Sequence, residues 1–212
     1  MDEAKFITLD NCLTILIYTD RSKSTNHMEL FTFYGGNYSS YIDYNGKKRN
    51  IKEGSAHLLE HYVCENTVSG DLLDNLRKYN VLSCNAGTSA FNTSYFFNTV
   101  CNFYECLDTF LDGIYNEGRR IADIRDRTLF SNCMDNLGSE DSINSITVND
   151  LKDIYDSIYV PCNQFLVVAG NFDYDKTLSL VKNIYKEISF KNDKKLSKVS
   201  DVKDVIKKRT IY

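Results

Sequence analysis

Three histidines occur in 212 residues, and two of them stand four apart in His57-Leu58-Leu59-Glu60-His61. The apolar residues Leu58, Leu59, Tyr62 and Val63 fall at helical spacing, which predicts a helix over residues 54–64. On a helix, positions i and i+4 lie one above the other on one face, so both imidazoles can reach a single ion. Glu60, three residues after His57, leans over the same place. With three His and nine Glu in the chain, chance produces this order about twice in a thousand sequences. The pattern therefore points to a metal site rather than to two unrelated histidines beside a helix-stabilising glutamate. His27 lies in a Ser-Thr-Asn stretch expected to be an exposed loop, and it is left outside the site.

The residue types suit a definite chemistry. Neutral imidazoles favour Zn²⁺, and a catalytic zinc keeps one position open beyond three protein ligands. The ion lowers the pKa of the water it binds, and a nearby carboxylate can take the proton as the nucleophile attacks, which makes Glu60 the expected general base. The third ligand is sought among the glutamates after His61: Glu65, Glu105, Glu117, Glu140 and Glu187.

Around this segment, strand-like and helix-like patterns alternate without an internal repeat. Strands are expected over 13–18, 28–34, 93–99 and 165–169, with turns at Gly35-Gly36 and Asn45-Gly46. Helices are expected over 71–78, 104–115 and 176–188. One more follows Thr147-Val148-Asn149-Asp150, a capping-box pattern, and stops at Pro161. The class implied is α+β, a mostly antiparallel sheet carrying helices on one side.

Composition narrows the functions. The 25 Lys and Arg against 29 Asp and Glu leave a net charge of −4, and a mildly acidic chain is a poor binder of phosphate backbones, so no nucleic-acid partner is expected. The apolar run over 13–18 is too short for a signal-peptide core or a bilayer span, so no membrane association and a cytoplasmic location are expected. Seven cysteines, odd in number and without a C-x-x-C pair, argue against a disulfide framework or a cysteine zinc knuckle. Cys64, one turn past His61, is expected to be a bystander. Residues 191–212 carry seven lysines and Arg209, so the chain divides into a domain over 1–190 and a basic tail or linker over 191–212.

Several further segments carry a resemblance. Glu53-Gly54-Ser55-Ala56 leads into His57, and Phe33-Tyr34-Gly35-Gly36 precedes it. Asn85-Ala86-Gly87-Thr88 is followed by Thr93-Ser94-Tyr95. Downstream come Leu137-Gly138-Ser139-Glu140-Asp141-Ser142-Ile143, Asp150-Leu151, Tyr159-Val160-Pro161-Cys162-Asn163 and Gly170-Asn171-Phe172-Asp173. Together with the H-x-x-E-H order, which is the inverzincin signature, they resemble the pitrilysin/insulinase-type zinc peptidases, which include mitochondrial processing peptidase. The likeness runs from about residue 13 to residue 188.

That resemblance implies a two-layer α+β half-domain in which His57 and His61 bind Zn²⁺ and Glu60 is the base. Its third ligand is a glutamate on a later helix, and the stretch from Asn116 to Phe130 nominates Glu117, with Asp123 in reserve. Glu117 follows His61 by 56 residues, a shorter gap than the family's usual one, and a second shortening lies between Phe130 and Leu137. Asn85 and Ala86 would lie on a substrate-facing edge strand that pairs with an extended peptide, or simply at an ordinary turn and strand start. The family pairs two homologous halves, so this chain would act with a second half or subunit on a peptide or small protein substrate. The expected activity is that of a zinc endopeptidase. The alternative is a non-catalytic, peptide-binding subunit of a heterodimeric peptidase with an incomplete metal site.

Overall fold

The computed structural model describes residues 3–65, 67, 69–115, 138–190 and 200–202. In chain order, strands β1 (Glu3–Thr8), β2 (Thr14–Thr19), β3 (Asn26–Thr32), β4 (Tyr38–Ile42) and β5 (Lys48–Asn50) precede helices α1 (Ser55–Glu65) and α2 (Leu72–Arg77). Strands β6 (Ser83–Thr88) and β7 (Thr93–Thr99) lead into α3 (Phe103–Tyr115). Then come α4 (Glu140–Ser145), α5 (Val148–Ile158), β8 (Gln164–Gly170), α6 (Tyr174–Glu187) and β9 (Ser200–Val202).

Strict alternation of buried and half-buried residues along β3, β7 and β8 gives the main sheet one buried face, apolar at its centre and polar toward the strand ends. Its order is β1-β2-β8-β3-β7-β6. Neighbours are antiparallel except β2 and β8, which run parallel. Ile15, Ile17, Met28, Leu30, Tyr95, Phe97, Leu166 and Val168 point from that face into the core. The helices cover it with Leu59 and Val63 of α1, Leu107, Phe110, Leu111 and Ile114 of α3, Leu151 and Ile158 of α5, and Val181 of α6. Each such side chain contributes roughly 1.5–3 kcal/mol when taken out of water. The expected two-layer α+β architecture, with helices on one face, is the one found. Among the described residues, no helix is long and apolar enough to cross a membrane.

A smaller sheet has the order β5-β4-β9. Its β4–β5 hairpin turns at Asn45-Gly46, where Gly46 adopts φ +81°, and the Asp43 carboxylate gathers the turn by accepting from Asn45 N, Lys47 N and Arg49 Nε. The backbone of β9, inside the lysine-rich stretch, pairs with β4.

The predicted helices lie within one or two residues of α1, α2, α3, α5 and α6. Strand β3 starts and ends two residues before its expected bounds, because Tyr34 N turns back to Thr32 O at 2.7 Å. Five elements carry too little pattern to be read from sequence: β1, the short β4, the fully exposed β5, α4, whose one buried residue is Ile143, and β9 within the lysine-rich stretch. The loop expected at His27 is a correction. His27 belongs to β3, in register with Asn98 of β7, and its Nδ1 lies 2.9 Å from Asn98 Oδ1.

Candidate metal centre

The helix that carries the site is aimed by the residues before it. Gly54 takes φ +85°, a left-handed conformation that a side chain would strain. Ser55 Oγ donates to Lys52 O at 2.7 Å and Leu58 N to Gly54 O at 3.0 Å, launching α1. A distant segment clamps this entry. Lys52 Nζ donates to Ser145 O at 2.7 Å and pairs with the Asp150 carboxylate at 2.8 Å, while Ser142 Oγ donates to Glu53 O at 2.9 Å. Asp150 also closes the Thr147 capping box of α5. A Cβ on Gly138 would meet the Glu53 backbone at 2.6 Å. The Gly138-Ser139-Glu140 stretch and the start of α5 thus fix where α1 begins.

On α1, the His57 and His61 rings stand edge to face with centroids 4.8 Å apart. One ligand atom from each of His57, Glu60 and His61 falls within 4.8 Å of the others, and among the described residues this is the group that could hold a metal ion. Burial, helped by the neighbouring His61 charge, lowers the His57 pKa to about 4, so its imidazole is neutral near pH 7, as a ligand must be. His61 Nδ1 lies 2.9 Å from Glu65 Oε1. Donation of that N–H to the carboxylate selects the tautomer whose Nε2 can coordinate. Glu60 is buried, at 6% exposure. Burial raises its pKa, against the lowering effects of a Thr88 hydrogen bond and the His61 charge.

Two residues that sequence reasoning passed over complete the surroundings. Thr88 Oγ1 donates to Glu60 Oε2 at 2.5 Å and stands 3.2 Å from Thr93 Oγ1. Thr93 Oγ1 in turn donates to Tyr34 O at 2.9 Å. The fixed spacing of Thr88 and Thr93 was already visible in the quoted strand motif; what it lacked was the partner. Glu65, one of the glutamates considered for the third ligand, is the hydrogen-bond partner of His61.

Asn85 and Ala86 lie on β6, the edge strand of the main sheet beyond β7. Asn85 is exposed and Ala86 half-buried, with Asn85 Oδ1 accepting from Ala86 N at 2.9 Å. Thr88 on the same strand reaches α1, so β6 borders the histidine pair. Cys64 is buried and outside the metal-ligating group. Glu117 and Asp123 lie outside the described residues. Two imidazoles at this separation beside a carboxylate are a donor set that fits zinc, and His57 and His61 could supply two of its ligands.

With this geometry in hand, the chain can be set beside known proteins. A family model described as the Peptidase M16 inactive domain matches residues 145–212, a stretch that begins after α1 and includes none of His57, Glu60 and His61. The Bacillus subtilis (strain 168) protein described as the zinc protease YmfH is 24% identical over 204 residues, taking in 82% of this chain and 47% of that one. A structure described as an M16-like peptidase from Alicyclobacillus acidocaldarius superposes with a TM-score of 0.78 at 21% identity, covering 89% of this chain and 51% of that one. Pitrilysin superposes with a TM-score of 0.68 at 16% identity, covering 92% of this chain and 24% of that one. The chain spans about half the length of the first two. At these identities the structural likeness establishes the fold.

Proposed function

We propose that this chain, a half-domain of the M16 peptidase family, is the metal-bearing half of a zinc-dependent endopeptidase. The observation that carries the reading is the convergence of His57, Glu60 and His61 within 4.8 Å on one helix, with Glu60 buried between two half-buried histidines. His57 and His61 would hold the ion, and Glu117 is the proposed third ligand, with Asp123 in reserve. When bound, zinc supplies Lewis acidity toward water and a peptide carbonyl. Glu60 serves as the base: Thr88 occupies its Oε2, and the carboxylate takes a proton from the attacking water and returns it to the leaving amine. The substrate would be an extended peptide or small protein segment pairing along β6 at Asn85 and Ala86. A second homologous half or subunit would close over its other side.

A second reading has one observation in its favour, the match of residues 145–212 to a domain described as inactive. On that reading the chain is a non-catalytic, peptide-binding subunit. A zinc assay with a peptide-hydrolysis test, run on the chain alone and with a homologous half, separates the two. The endopeptidase reading expects stoichiometric zinc that is lost on His57→Ala, and hydrolysis that Glu60→Gln abolishes while zinc is retained. A folded protein that binds no zinc and cleaves nothing in either setting supports the subunit.

A further inference from the structure

Two thiols far apart in sequence meet away from the metal centre. Cys12 occupies the tight turn between β1 and β2, where Cys12 N donates to Leu9 O at 2.8 Å and its own φ is +70°. Cys162 lies in the 3-10 turn Pro161–Asn163 that leads into β8. Strands β2 and β8 are parallel neighbours, with Thr14 opposite Phe165. Cys12 stands two residues before that pair and Cys162 three, so both sit at the same end of adjacent strands. Such strands run about 4.8 Å apart, inside the span of roughly 4.4–6.8 Å that a disulfide bridges between Cα atoms. Cys162 Sγ donates at 3.4 Å to the carbonyl of Asn11, the residue just before Cys12, and the Cys12 thiol is near enough to perturb that of Cys162. Cys12 is exposed and Cys162 half-buried.

We propose that Cys12 and Cys162 are a modification site, a dithiol that closes to a reversible disulfide by exchange with small disulfides of the glutathione class. The Cys12 thiolate attacks one sulfur of the disulfide and expels the first glutathione as its thiolate. The Cys162 thiolate then attacks the Cys12 sulfur of the mixed disulfide and expels the second. The protein loses two electrons and two protons, and one glutathione disulfide becomes two thiols. The order follows from access, since Cys12 faces solvent while burial and the neighbouring Cys12 thiol push the Cys162 thiol up to about 12.

The bond would enclose residues 12–162, the stretch that holds α1, β6 and both histidines. The same 3-10 turn is tied to the strand motif at Phe33, because Phe33 N donates to Asn163 O at 3.0 Å and Asn163 Nδ2 to Phe33 O at 3.4 Å. Closing a loop of that length restricts the unfolded chain strongly, so the oxidised form should melt roughly 5–15 °C higher.

The test equilibrates the folded chain with excess oxidised glutathione, alkylates the remaining thiols, and maps cysteine peptides by mass spectrometry beside a melting curve. Expected are a protein lighter by two hydrogens, a linked pair of peptides carrying Cys12 and Cys162, a raised Tm, and reversal of all three by dithiothreitol. Cys12→Ser and Cys162→Ser should each melt like the reduced parent and form no such link. A stable glutathione adduct on Cys12 with Cys162 still alkylated, a link between other cysteines, or a lowered Tm in the linked form would overturn the proposal.

Discussion

Thr88 donates its hydroxyl to Glu60 across 2.5 Å, from the edge strand to the metal-bearing helix and over 28 residues of sequence. The contact anchors the one buried carboxylate of the candidate site and links it, through Thr93, to the turn at Tyr34. It leaves the general-base proposal open to tests that do not touch a metal ligand.

Replacing Thr88 with Val removes that donor while keeping the shape of the side chain. Losing a partner that orients a site residue typically costs 10–100-fold, so kcat is expected to fall by about that factor at unchanged zinc content. The hydrogen bond lowers the Glu60 pKa, so its loss raises that pKa and moves the acid limb of the rate profile to higher pH. Thr88→Ser should restore both, and kinetics across pH on the three proteins would show it.

Glu65→Gln weakens the acceptor that selects the His61 tautomer. Zinc affinity should drop by about 10–100-fold with little change in melting of the metal-free protein, because this pair is exposed. Competitive titration against a chromophoric chelator measures it.

The metal-free protein should lose stability in acid through His57. Its folded pKa, about 4, lies below the ordinary 6.5, so between those values the unfolded chain binds the proton more readily. Stability conferred by the neutral ring is full above pH 6.5 and falls as pH drops toward 4. Urea midpoints over that window should slope more for the parent than for His57→Gln.

Gly138→Ala drives a Cβ to 2.6 Å from the Glu53 backbone and forces φ +84° on an alanine. A loss of about 2–4 kcal/mol is expected, read from denaturant unfolding, together with weaker zinc binding because the entry to α1 shifts. Lys52→Met, which removes a half-exposed ion pair, should cost about 1 kcal/mol or less.

The amino-acid sequence alone was enough for everything governed by short-range periodicity. The helix over Ser55–Glu65, its histidines one turn apart, the capping box at Thr147 and the alternating strands β7 and β8 all follow from the pitch of a helix or the pleat of a strand, and the motif holding Thr88 and Thr93 carried part of the resemblance. Tertiary structure decided the rest, because strand order in a sheet obeys no local period. It placed β6 at the edge beside the histidines, took His27 into β3, gave Thr88 to Glu60 as a partner, and ran β2 parallel to β8 so that Asn11 and Cys162, 151 residues apart, touch. Each of these contacts depends on which apolar faces bury one another when the sheet closes under its helices, a choice made by the whole core at once.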